Sequence, residues 1–63
     1  MKELKAFRKE KKITQSEMAK KLGITLSMYE KVESGRTGVS GAFMRRFKKV
    51  FPEANMDDIF FKN

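Results

Sequence analysis

A glycine that stands between two helix-capping residues constrains the fold of this chain more than any other feature. Thr14 and Glu17 have the spacing of a capping box, in which a hydroxyl and a carboxylate each accept from a backbone amide at a helix start. Thr25 has the chemistry of a second N-cap, and Gly23 tolerates the positive φ of a helix end. The pattern predicts two short helices joined by a turn of three or four residues.

Small and apolar residues in the same segment indicate that these two helices cross closely. Ala19 supplies the small side chain that the crossing point needs, and neither helix contains a proline or an internal glycine. Helices joined by so short a turn cross at about 90–120°. We therefore interpret residues 15–34 as one helix-turn-helix unit, which is clamped from the inside by Met18, Leu22, Ile24, Tyr29 and Val32.

The flanking segments predict three further helices. Residues 2–11 have an apolar stripe at Leu4 and Phe7, and Ser40 is a candidate cap for a helix that runs to about Val50 before Pro52. Asn55 is placed to begin a short fifth helix. The expected fold class is all-α, a compact five-helix domain that spans residues 1–63 as a single unit. Its other inward residues are expected to be Phe43, Met44, Phe47, Val50, Met56, Ile59 and Phe60.

Charge and missing residue types narrow the classes of function. Fifteen Lys and Arg residues against eight Asp and Glu give a net charge of +7, which attracts phosphate backbones or anionic lipid. The chain has no cysteine and no histidine, so zinc sites and nucleophile–base pairs lose their usual members. We expect no enzyme, no metal or other cofactor and no small-molecule ligand. Without a membrane span or a signal peptide, a cytoplasmic location is expected.

The order of these motifs is similar to a known family. The residues that carry the likeness are Arg8, Ile13–Gln15, Glu17–Ala19, Leu22–Thr25, Ser27, Val32–Arg36, Ser40 and Asn55–Phe60. From Leu4 to Phe61 the chain resembles the lambda-repressor-like Cro/CI (XRE) family of helix-turn-helix proteins. Many relatives have glycine at the position of Lys12 and proline at that of Val39, so the turns at these two places are expected to differ.

The resemblance implies roles for the residues of the helix-turn-helix unit. The family places its second helix across the phosphate backbone of DNA and its third helix in the major groove. The base-reading candidates are then Leu26, Ser27, Met28, Glu30 and Lys31. The phosphate-binding candidates are Gln15, Thr25, Ser34, Arg36 and Thr37.

Some of these assignments stay open at the level of the sequence. Leu26 suits a thymine methyl group, and Lys31 can reach guanine or a phosphate. Glu30 either accepts from cytosine or is a surface charge without a role in DNA binding. Met28 either shields the core or packs against sugar and methyl groups. Tyr29 is expected in the core, with its hydroxyl reaching the surface.

Residues outside the unit have structural or assembly roles in this interpretation. The resemblance implies an ion pair between Arg8 and Glu33 within the domain. The chain has more aromatic surface than a small domain easily buries, and exposed apolar area often marks an interface. We expect Phe60 inside and take Phe51 and Phe61 as candidates for a dimer contact. Four cations of the fourth helix form a basic cluster without an assigned role: Arg45, Arg46, Lys48 and Lys49.

The sequence thus favours a sequence-specific regulator of transcription that binds double-stranded DNA. The expected form is a repressor that binds a near-palindromic operator as a homodimer. An antitoxin-like or restriction-control regulator would use the same reading helix. A protein-interaction adaptor is the alternative from another class, and it predicts DNA affinity that is weak and indifferent to sequence. The separately capped helices and the spread of charge argue against a cationic membrane-surface helix.

Overall fold

The computed structural model describes residues 1–61. This part of the chain contains five helices and no strand. The helices are α1 (Lys2–Glu10), α2 (Gln15–Leu22), α3 (Leu26–Glu33), α4 (Gly41–Val50) and α5 (Asp57–Phe61). They pack into a body of 25 × 23 × 20 Å. The all-α, five-helix fold predicted from the sequence is confirmed. No helix within residues 1–61 is long and apolar enough to cross a membrane.

Local side-chain chemistry sets the helix starts where the sequence predicts them. The Thr14 hydroxyl accepts from the Glu17 amide at 3.1 Å, and the Glu17 carboxylate accepts from the Thr14 amide at 2.8 Å. The hydroxyls of Thr25 and Ser40 likewise accept from backbone amides, at 3.1 and 3.0 Å. These bonds satisfy donors that have no partner within the helix.

An aromatic cluster around Phe47 forms the centre of the core. Its ring lies 5.1 Å from that of Phe7, 5.2 Å from Phe51 and 5.1 Å from Phe60, measured between centroids. Phe43 adds a further ring 6.4 Å away. Edge-to-face and tilted geometries of this kind add to the energy of burial. The cluster therefore joins α1 and α4 to the C-terminal segment, and it packs against the inner side of the helix-turn-helix unit.

The end of α4 differs from the sequence prediction. Val50, expected inside, is 36% exposed, whereas Phe51, a candidate for a dimer contact, is only 7% exposed. The chain leaves helical geometry at Phe51, where φ is −124° and ψ is 71°. This change turns the Phe51 ring between Phe7 and Phe47. The assignment of Phe51 to a dimer contact is therefore wrong, because its ring completes the core.

The short C-terminal helix begins as expected but winds more widely. The Asn55 side-chain oxygen accepts from the Asp58 amide at 3.1 Å, as an N-cap does. The following residues form one π-type turn rather than an α-helix. Ile59 is buried, and Met56 and Phe60 are half-buried against the core.

Lys12 occupies a strained backbone position. Its φ is +59°, the left-handed region, which costs a residue with a side chain about 1–2 kcal/mol. Glycine removes that strain but makes the unfolded chain more flexible, an opposing effect of about 0.5–1 kcal/mol. We expect Lys12→Gly to raise the free energy of unfolding by about 0.5–1 kcal/mol in urea denaturation. Lys12→Ala removes the same charge and keeps the strain, so an equal gain in that variant would contradict the explanation.

Candidate nucleic-acid interface

The crossing of α2 and α3 depends on a close approach at Ala19 and a tight turn at Gly23. Ala19 is buried, and its carbonyl accepts from the Ile24 amide at 3.0 Å. Gly23 has a φ of +71°, and a side chain there would come within 2.9 Å of the Arg46 guanidinium. Arg46 also donates to the Leu22 carbonyl at 3.1 Å, which satisfies an acceptor at the end of α2. α2 therefore holds the start of α3 at the surface of the domain.

The third helix has one buried side and one exposed side. Tyr29, Val32 and Glu33 face the interior. Leu26 is 42% exposed and Met28 47% exposed. The structure brings all five base-reading candidates together on the outer side of α3: Leu26, Ser27, Met28, Glu30 and Lys31. Such a side, carrying apolar, hydroxyl and charged groups, offers the kinds of contact that distinguish base edges.

Met28 and Tyr29 lie differently with respect to the core. Met28 lines a cleft of about 310 Å³ together with Ile24, Val32 and Phe43, so it borders the core while almost half of it stays exposed. Tyr29 is fully buried, including its hydroxyl. The expectation that this hydroxyl reaches the surface is wrong, because the ring lies inward beside Arg8 and Glu33.

A buried ion pair fixes the far end of α3. Arg8 Nε lies 2.8 Å from one oxygen of Glu33, and Arg8 Nη2 donates to the other at 3.1 Å. Arg8 Nη1 donates to the Ile13 carbonyl at 2.8 Å. The structure thus contains the pair that the family resemblance implied. It connects α1, the turn that follows α1, and the last turn of α3.

Gln15 joins this pair, which sequence reasoning missed. Its amide donates to Glu33 at 3.1 Å across a sequence separation of 18 residues. No local pattern signals such a contact, because it arises from the crossing of α2 and α3. A glutamine amide has a second N–H and an oxygen, so the role of Gln15 as a phosphate-binding candidate remains chemically open.

The contacts among Arg8, Glu33 and Tyr29 shift the pKa values of all three groups. Burial alone would raise the pKa of Glu33, but its hydrogen bonds with Arg8, the proximity of the Tyr29 hydroxyl and its hydrogen bond with the Gln15 amide together lower that pKa below its usual value. The same Glu33 carboxylate raises the pKa of Arg8. Burial and the adjacent carboxylate raise the pKa of Tyr29. The Tyr29 hydroxyl lies near these groups without hydrogen-bond geometry to either of them. At neutral pH, Arg8 and Glu33 are therefore charged and Tyr29 is neutral.

The remaining phosphate-binding candidates lie at the two ends of α3. Thr25 caps its start. Ser34, Arg36 and Thr37 follow its end, where the amides of Arg36 and Thr37 donate back to the Lys31 carbonyl. Arg36 is exposed and has no ion pair within residues 1–61. Gln15 contacts Glu33 at this end, so Gln15 lies close to the segment 34–37.

Two short helices that cross at a tight turn, the second with an exposed outer side, form a helix-turn-helix unit. A family model described as helix-turn-helix matches residues 4–53. The chain belongs to the lambda-repressor-like Cro/CI (XRE) family, whose members are DNA-binding regulators of transcription. Comparisons with curated proteins and with solved structures gave no match.

Proposed function

We propose that this protein is a sequence-specific transcriptional repressor that binds a near-palindromic operator as a homodimer in the cytoplasm. The observation that supports this most is the exposed outer side of α3. Five side chains of that side are exposed, while Tyr29 and Val32 are buried on the inner side of the helix. Repression then requires only that the bound domain occlude a promoter, which a domain of this size achieves by occupying the DNA.

In this proposal the tip of α3 enters the major groove first. Leu26 packs against a thymine methyl group, and Ser27 exchanges hydrogen bonds with base edges. Lys31, one turn further along, donates to guanine O6 and N7, and Glu30 accepts from cytosine N4. Met28 packs at the border between the core and the sugar edge. Contacts to the backbone set the register of the helix without reading sequence. They come from Gln15, Thr25, Ser34, Arg36 and Thr37.

Selection of bound duplexes from a random pool tests this proposal. We expect the enriched sequences to share one motif with two-fold symmetry. Its half-sites should be centred about 34 Å, or one helical turn, apart, as a two-fold dimer requires. A pool that stays random after several rounds would support the adaptor alternative and overturn sequence-specific binding. A single motif without symmetry would keep the reading helix and overturn the homodimer.

Phe61 is the aromatic residue that remains for the dimer contact. It is 60% exposed at the end of α5, while the other five phenylalanines contribute to the core. Burial of such a ring is worth about 1.5–3 kcal/mol, and a two-fold interface counts it twice. Since only the exposed 60% of this residue remains to be buried, Phe61→Ser should raise the dimer dissociation constant at least about twentyfold in sedimentation equilibrium. The control Leu26→Ser removes an exposed apolar side chain from α3, and an effect of that variant alone would contradict the assignment.

A further inference from the structure

The four cations of the basic cluster on α4 fall into two pairs. Arg46 donates to the Leu22 carbonyl at 3.1 Å, and Lys48 donates to the carbonyls of Pro52 at 2.8 Å and Ala54 at 3.3 Å. Arg46 thus satisfies a backbone acceptor at the end of α2, and Lys48 satisfies two in the turn that follows α4. Arg45 and Lys49 are exposed and make no hydrogen bond or ion pair within residues 1–61. The charges of Arg45 and Lys49 are therefore not paired within the described residues.

Arg45 and Lys49 border an open groove between α2 and α4. The groove has a volume of about 630 Å³, and Lys21 and Arg46 complete its set of four cations. Its remaining lining residues are Leu22, Gly23, Ala42 and Val50, so no carboxylate borders it. Four cations without a bordering anion create a field that attracts a polyanion. We refer to this surface as the α2/α4 groove.

The α2/α4 groove lies close to the tip of the reading helix. Leu22 and Gly23 form part of its wall, and Gly23 precedes Leu26 by three residues. Three residues span at most about 10–11 Å. The major groove of DNA is about 12 Å wide, so the phosphates that border it lie roughly 6 Å from its centre. A duplex that receives Leu26 would therefore bring one phosphate strand near the cations of the α2/α4 groove.

We propose that Lys21, Arg45 and Lys49 form a second phosphate-binding surface, which contacts the DNA backbone beside the major groove that α3 enters. This inference rests on the proposed function. Continuity with the α3 tip favours DNA as the occupant over an acidic protein segment. The lining offers little else to a peptide, because Val50, at 36% exposure, is the one large apolar side chain exposed there among the described residues.

The salt dependence of DNA binding tests the proposal. The variant pair Arg45→Ala/Lys49→Ala removes two cations from the α2/α4 groove. The matched control Lys5→Ala/Lys9→Ala removes two exposed cations from α1 and gives the same net charge. On the selected duplex, losing two phosphate contacts makes the negative slope of log K against log salt shallower by about 1.8. We expect this change in the first variant, with at least about tenfold weaker binding at 50 mM salt to selected and random duplexes alike.

Ethylation interference places the lost contacts on the duplex. In the wild-type protein, ethylation of certain phosphates on the strand beside the α3 tip should weaken binding. Ethylation of the same phosphates should have no effect on binding of Arg45→Ala/Lys49→Ala. Equal slopes and equal interference patterns in this variant and in the control would overturn the surface and leave the proposed function standing. Loss of binding to a 20-residue oligo-glutamate peptide, with DNA binding unchanged, would also overturn it and point to an acidic protein partner. A wild-type protein that selects no sequence would instead overturn the proposed function.

Discussion

Glu33→Ala is expected to lower the free energy of unfolding by about 3–5 kcal/mol, the largest single effect that the structure predicts. The substitution leaves the Arg8 guanidinium buried beside Tyr29 without its carboxylate partner. It also removes the acceptor of the Gln15 amide. At about 0.05–0.15 kcal/mol per residue, a domain of 63 residues has a total stability of only about 3–9 kcal/mol, so much of the variant population should unfold at 37 °C. Urea denaturation followed by circular dichroism measures the loss.

Two controls separate the buried charge from a general effect of substitution in α3. Glu30→Ala removes an exposed carboxylate from the same helix and should change stability by less than about 0.5 kcal/mol. The double variant Arg8→Met/Glu33→Leu replaces the pair by apolar side chains and should recover most of the loss. A double variant as unstable as Glu33→Ala would show that the geometry of the pair, rather than its uncompensated charge, is what stabilises the fold.

Acid should weaken the wild-type domain through the same pair. Because the folded-state pKa of Glu33 lies below its ordinary value of 4.5, the folded state favours the charged carboxylate. The resulting stability is fully present above the unfolded pKa and is lost as the pH falls through the folded one. Stability should therefore decline below about pH 4.5, and less steeply in Arg8→Met/Glu33→Leu. Equal slopes in the two proteins would remove Glu33 from the account.

Substitutions on the outer side of α3 should give the second largest effects, and they should differ in kind from those at its end. Ser27→Ala or Lys31→Ala is expected to cost about 1–3 kcal/mol on the operator and to relax base preference at one position. Arg36→Ala should instead weaken binding to every duplex. It should also make the negative slope of log K against log salt shallower by about one. The difference follows from position, because Ser27 and Lys31 lie on the exposed side, whereas Arg36 follows the helix.

Titrations of each variant with operator and with random duplex, at several salt concentrations, separate the two kinds of contact. Glu30→Gln is an informative companion, since loss of the charge alone should strengthen non-specific binding slightly. If Ser27→Ala and Lys31→Ala weakened operator and random DNA by the same factor, these residues would contact phosphates. The base-reading assignment would then have to move to another side of the helix.

Much of the fold could be predicted because its helix starts are set by capping side chains that act within a few residues. Thr14, Thr25, Ser40 and Asn55 each accept from an amide three residues later, and a short sequence window suffices to see this. The winding of α5 could not be predicted in the same way. A cap fixes where a helix begins, but the packing of the following side chains decides how it turns.

The errors of prediction share a physical cause. Helical periodicity placed Val50 inside, but the chain leaves the helix at the next residue, and Phe51 takes the core position instead. Tyr29 lies in the core as the sequence predicts, but its hydroxyl is buried and does not reach the surface. The bond from Gln15 to Glu33 joins residues 18 positions apart, so it depends on the crossing of two helices. Contacts of this kind come from tertiary geometry and leave no mark on a local pattern.

The proposed function requires above all that the outer side of α3 contact the operator. Amide chemical-shift mapping on addition of the selected duplex tests this claim directly, residue by residue. We expect the largest shifts over residues 25–31, at Gln15 and over residues 34–37, with small shifts in α1 and α5. Shifts concentrated in α1 and α5, with residues 25–31 unchanged, would contradict it.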